Sequence, residues 1–226
     1  MTASLIQRAL GSDFGSLHPA SRERHGFGPE SHLHSVGVGT MERVWHSSRL
    51  FDPFLRLGAV RNIMFPESGS DIPFRIECWT YRDSHDRETL SLNRTFEFEK
   101  PRRFDEYVVG RPDGSHAIYV GNHQHLVAEI SIHVTERGGL EFLTGPQRLL
   151  TRGPSFRFPR LFSASARVEE WFDETDGRFH IDARVRNRIL GDVLGCVGSF
   201  ESSLVENPEG EVPDSVRPRR EDLRTW

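Results

Sequence analysis

Lysine is almost missing from this chain: Lys100 is the only one among 29 basic side chains, and the rest are arginine. The codon bias of a GC-rich genome accounts for that preference. The arginines run through the whole sequence instead of gathering on one face. With a net charge of −4, the chain also has no global positive field. Together these exclude a nucleic-acid surface.

Cysteine is nearly as scarce. Cys78 and Cys196 show no Cys-x-x-Cys spacing, and two thiols in 226 residues make no disulfide framework, so both are expected reduced. Long apolar runs are absent, and none approaches the roughly 18 residues that a membrane span requires. The start, Met1-Thr-Ala-Ser-Leu-Ile-Gln-Arg8, lacks the basic and apolar regions of a signal peptide, which makes a cytoplasmic location the expectation. No internal repeat appears, which argues against a solenoid or propeller.

Motifs for chemistry are few. There is no Gly-x-Ser-x-Gly elbow and no phosphate-binding loop of the Walker type. Gly37-Val-Gly39 lacks the third glycine of a dinucleotide site, so no cofactor is expected. His32-Leu-His34 and His123-Gln-His125 could each present two imidazoles on one side of a strand. Spacing offers neither pair a third ligand, and no metal is expected.

What is present is periodicity. Leu5, Ile6, Ala9, Leu10, Phe14 and Leu17 recur at helical spacing, and Pro19 opens a further short helix stopped by Gly26. A first strand carries Val36, Val38 and Val44, broken by Gly37 and Gly39. Asp52-Pro53 then starts a short helix closed by Gly58. From residue 72 onward the apolar period is two. Residues 72–82 place Ile72, Phe74, Ile76 and Cys78 on one face, so Cys78 is expected buried. Residues 178–186 alternate Phe179, Ile181, Ala183 and Val185 with charged neighbours, and 89–99, 125–134 and 164–172 behave alike. Pro112-Asp113-Gly114, Arg137-Gly138-Gly139 and Thr175-Asp176-Gly177 supply hairpin turns.

The expected fold is mainly β (α+β): a curved antiparallel sheet or partly closed barrel with short N-terminal helices at about residues 4–25. Residues 1–205 form one domain, and the Pro-rich, charged stretch 206–226 is expected to lack fixed structure.

Several segments are similar to the DUF4166 family, a bacterial domain of unknown function. They are Leu5-Ile-Gln-Arg-Ala-Leu-Gly11 with His18-Pro19, Gly37-Val-Gly-Thr-Met-Glu-Arg43, Arg94-Thr-Phe96, Phe158-Pro-Arg-Leu161 leading to Val168-Glu169, and Asp176-Gly-Arg-Phe-His-Ile-Asp182. In order they span about residues 4–203. The chain departs from the family pattern at Leu194-Gly-Cys-Val-Gly-Ser-Phe200. The resemblance implies a fold and carries over no catalytic residue. Because members are often fused to NAD(P)-binding or membrane domains, it also implies a redox-linked context.

Two charges break the alternation. Arg94 falls in register with Leu90, Leu92, Phe96 and Phe98, and Glu170 with Ala166, Val168 and Phe172. Burying a charge costs several kcal/mol unless it is paired. Three explanations compete: Arg94 and Glu170 pair with each other, they reach water at the sheet's open end, or they line a ligand cavity.

The leading functional reading is binding of a small, largely hydrophobic molecule in a cavity of the curved sheet, contacted by Arg94, Glu170, Phe96 and Phe98. A second is a metal-independent enzyme of isomerase or cyclase type. There Glu170 is the acid or base, its pKa raised by apolar surroundings, and Arg94 stabilises negative charge. A third is an interaction module for an oxidoreductase or membrane partner. Ligand identity and oligomeric state are not indicated.

Overall fold

In a computed structural model, residues 3–47, 52–151, 155–157 and 163–224 are described. Helix α1 is Leu5–Leu10, followed by a 3-10 segment at Gly11–Ser16, and helix α2 is Pro19–His25. Strand β1 (Leu33–His46) and helix α3 (Asp52–Ala59) lead into β2 (Gly69–Arg82), β3 (Glu88–Phe96), β4 (Arg102–Gly110), β5 (His116–Val120), β6 (Leu126–Val134) and β7 (Leu140–Thr144). Two short strands, β8 (Arg148–Leu149) and β9 (Phe156–Arg157), precede β10 (Ala164–Asp173), β11 (Arg178–Asn187) and β12 (Gly191–Glu206).

Among the described strands, β1–β7 and β10–β12 pair antiparallel around a closed circuit of ten, with β1 meeting β12 and β5 meeting β6. Strand β8 extends the wall beside β6, and β9 pairs with β8. Closure removes the unpaired edges an open sheet would expose. Hairpin turns bend where glycine supplies a positive φ, as at Gly114 (83°), Gly138 (72°) and Gly177 (69°).

Strand β1 differs from expectation. It is continuous; Val36 and Val38 turn away from the core, Val38 at 53% exposure, while Val44 is buried. Ser35, Gly37, Met41 and Val44 are its buried positions. The glycines do not break the strand; they let β12 cross it closely. A Cβ on Gly39 would lie 2.1 Å from the Ser199 carbonyl oxygen and 2.4 Å from Phe200 Cα.

The N-terminal helices stop one end of the barrel. Leu5, Ile6 and Leu10 join the same buried cluster as Ile76, Leu90, Ile132 and Phe200. Ser4 ties the two helices together: its Oγ accepts from the Gln7 amide at 3.0 Å and donates to the His25 carbonyl at 2.8 Å.

The C-terminal stretch corrects another expectation. Residues 207–224 lie along the outer wall over a second cluster containing Tyr107, Val109 and Tyr119. Val216 is buried, Arg217 stacks 4.5 Å from the Tyr81 ring, and the Asp222 amide donates to Gln124 Oε1 at 2.7 Å. The composition suggested disorder because the stretch is rich in charge. Those charges instead pair locally, Asp222 with Arg220 and Arg224, so burying them is tolerable.

Candidate functional site

Arg94 and Glu170 both point inward and are buried, at 6% exposure each. They do not pair with each other, and each belongs to its own cluster in the barrel.

Glu170 on β10 sits beneath α2. Its Oε1 accepts from Arg24 Nε at 2.8 Å and lies 2.8 Å from His25 Nε2. Arg24 is inserted into the barrel, where Nη1 donates to Ser202 Oγ at 2.6 Å and to Ser35 Oγ. Its guanidinium lies 4.9 Å from the Phe200 ring centroid and 3.5 Å from Cys78 Sγ. Burial alone would push the Glu170 carboxyl up, but the charges of Arg24 and His25 overcome it and hold the group at about 2. An acid–base role was expected to rest on a raised value, and the shift runs the other way. Glu170 fastens α2 to the wall.

Arg94 on β3 serves the opposite end. It bonds Glu106 on β4, and its guanidinium lies 5.7 Å from the Phe104 ring centroid. Burial disfavours the guanidinium charge, and the carboxylate of Glu106 more than offsets this, so Arg94 stays protonated.

The pair lines a cavity of about 80 Å³, with Trp45, Phe65, Phe96, Phe104, Val168 and Leu194 supplying apolar walls. Small side chains at Ala166, Ala183 and Cys196 leave the space open. Gly195 belongs to the same wall because a Cβ there would lie 2.5 Å from Trp45 Cζ2. Burial pushes the Cys196 thiol up to about 12, which removes it as a nucleophile.

Of the residues expected at a site, the structure therefore brings Arg94 and Phe96 to the cavity. Glu170 stands at the plugged end. Phe98 lies past the end of β3, half-buried, with its ring against Phe65 at 5.5 Å, and does not line the cavity. Sequence reasoning missed Glu106. Its signal was there: Phe104, Glu106 and Val108 alternate as strictly as Leu92, Arg94 and Phe96 do.

The histidine pairs go elsewhere. His34 stacks on Trp79 at 3.8 Å, and His123 stacks on His125 at 5.5 Å beside Arg61. Among the described residues no three His, Cys, Asp or Glu side chains converge as a metal site, and no helix is long and apolar enough to cross a membrane.

The profile of DUF4166, described as a domain of unknown function, matches residues 17–200. That range holds Arg24, His25, Arg94, Glu106 and Glu170 and leaves α1 outside. Over 207 residues the chain is 30% identical to the uncharacterized protein YndH of Bacillus subtilis (strain 168), covering 91% of this chain and 100% of that one. A solved structure concerned with dehydratase substrate selection for the borrelidin and fluvirucin polyketide synthases aligns at 12% identity. It covers 74% of this chain and 83% of that one with a TM-score of 0.18, and a superposition so loose carries no argument.

Proposed function

Because the chain belongs to the DUF4166 family, whose shared domain has no stated function, its role is read from its own residues, and we propose that it binds a small, largely apolar molecule in the cavity beside Arg94 and Glu106. The observation that carries this reading is the coincidence of two destabilising features at one place. An unfilled apolar space of about 80 Å³ leaves side chains such as Phe96 and Phe104 without packing partners on one side. A buried ion pair is commonly no better than neutral against an apolar replacement. Neither feature helps close the barrel, and a ligand would make use of both.

The dimensions limit the ligand. Typical small-molecule pockets run from about 300 to 1,000 Å³. This space suits a molecule of a few heavy atoms, or one end of a longer apolar chain. A polar group at its end would meet the Arg94–Glu106 pair, which offers both donor and acceptor.

The test is a cavity-filling variant. Ala183→Phe is expected to abolish binding of small aromatic probes, followed by the NMR shifts of the Trp45 and Phe96 neighbourhood. It should keep the far-UV spectrum and raise the melting temperature. Unchanged probe binding in Ala183→Phe would overturn the proposal.

A further inference from the structure

A cleft of about 500 Å³ opens on the outside of the barrel, and four arginines from four separate segments converge on it. Arg111 follows the end of β4, Arg148 lies on β8, Arg157 on β9, and Arg188 in the turn between β11 and β12. Among the described residues Glu129 is the single carboxylate in its lining. It lies 4.0 Å from Arg111, and its side chain is 77% exposed while that of Arg111 is 9% exposed. Arg111 also donates to Ser115 Oγ at 3.3 Å.

Several arginines elsewhere on the wall stand beside carboxylates along or across strands, among them Arg75 with Glu77, Arg167 with Glu141, Arg178 with Glu201, and Arg184 with Asp182. Arg157 and Arg188 are exposed, and among the described residues neither pairs with a carboxylate. Both guanidiniums thus stand in a cleft with a single carboxylate among its described lining residues, on a chain whose net charge is −4. A bound oxyanion supplies the missing partner. Guanidinium groups suit the task because their planar donor fork matches phosphate oxygens two at a time.

We infer that this cleft binds a phosphate-bearing molecule with two or more negative charges, at a site separate from the interior cavity. Its volume exceeds what one inorganic phosphate fills and falls within the range of small-molecule sites. The phosphate can come from a free phosphorylated metabolite or from a lipid headgroup. Exposed Phe156 adjoins Arg157, and exposed Ile189 and Leu190 follow Arg188, so apolar side chains stand beside both exposed guanidiniums.

The full chain is melted with inorganic pyrophosphate and, separately, with sodium chloride at matched ionic strength. Pyrophosphate is expected to raise the melting temperature saturably, and the chloride control is not. In Arg157→Gln/Arg188→Gln the apparent affinity should fall roughly tenfold or more, because two of four charge-assisted contacts are gone. Both positions are exposed, so this variant is expected to fold. Glu129→Gln removes the one opposing charge and should tighten binding. Sedimentation with phosphatidic acid vesicles against phosphatidylcholine vesicles separates the sources. Selective binding to the former, competed by pyrophosphate and lost in the double variant, assigns a headgroup; pyrophosphate stabilisation without vesicle binding assigns a free ligand. Equal effects of pyrophosphate and chloride, or shifts identical in wild type and the double variant, overturn the inference.

Discussion

Arg24 and Glu170 are 146 residues apart in sequence, and Arg24 Nε lies 2.8 Å from Glu170 Oε1 in the barrel interior. This bond fixes α2 as a stopper. Glu170→Gln or Arg24→Met alone leaves a charge buried without its partner and should cost about 3–5 kcal/mol. For a chain of this length that is a fall in melting temperature of roughly 10 °C. Replacing both with apolar residues should recover much of the loss. A double-mutant cycle measures the coupling, and simple additivity would show that the stopper is held by something else.

Acid should act through the same residue. The Glu170 carboxyl is held at about 2 against an ordinary 4.5, so its folded value is depressed. Its contribution is therefore complete above about pH 5 and is lost as pH falls toward 2. The size is on the order of 3 kcal/mol, from the shift itself. Asp222 is also depressed to about 2: burial would raise it, and its bonds to Arg224 prevail. Denaturant midpoints between pH 2 and 7 are expected to fall with acid in wild type and to fall less steeply in Glu170→Gln. Parallel curves would count against the assignment.

At the cavity end the interior partner of Arg94 is Glu106. Arg94→Met alone should destabilise by about 3–5 kcal/mol, since it strands a buried carboxylate. Arg94→Met with Glu106→Leu should regain most of that stability while losing affinity for ligands with a polar end. Stability that is regained together with unchanged affinity would separate the pair from binding.

Both cysteines are buried and free. Burial raises the Cys78 thiol despite the opposing charge of Arg24, and Cys196 stands near 12. A thiol reagent at neutral pH should leave the native chain unlabelled and modify two groups after denaturation. Prompt labelling of Cys78 in the native state would mean that its strand register is wrong.

A chain ending at Glu206 should lose stability, because Tyr107 and Tyr119 would exchange a protein cover for water. The expected loss is of order 3 kcal/mol from apolar area alone. Tyr119 would also lose the hydrogen bond from its hydroxyl to the Arg224 carbonyl, at 2.8 Å. Denaturant unfolding of the shortened chain checks this, and an unchanged midpoint would show that the tail only rests on the wall.

The side-chain period of two was enough to place Phe74, Ile76, Cys78, Arg94 and Glu170 inside and to identify hairpins at Gly114, Gly138 and Gly177. These are local properties: a strand turns alternate residues to one face wherever it lies. The helical spacing of Leu5, Ile6 and Leu10 was legible for the same reason. Which charges meet was decided only by tertiary structure. Arg94 and Glu170 looked like natural partners, yet the register of the β3–β4 hairpin sets Glu106 diagonally across from Arg94, and the entry of α2 carries Arg24 and His25 to Glu170. Burial of the C-terminal tail depends likewise on a wall assembled from β2 to β6. Inward facing is a property of a few consecutive residues. Pairing is a property of register and assembly: the Arg94–Glu106 pair needs one hairpin's register, and the Arg24–Glu170 pair needs elements more than a hundred residues apart to share one interior.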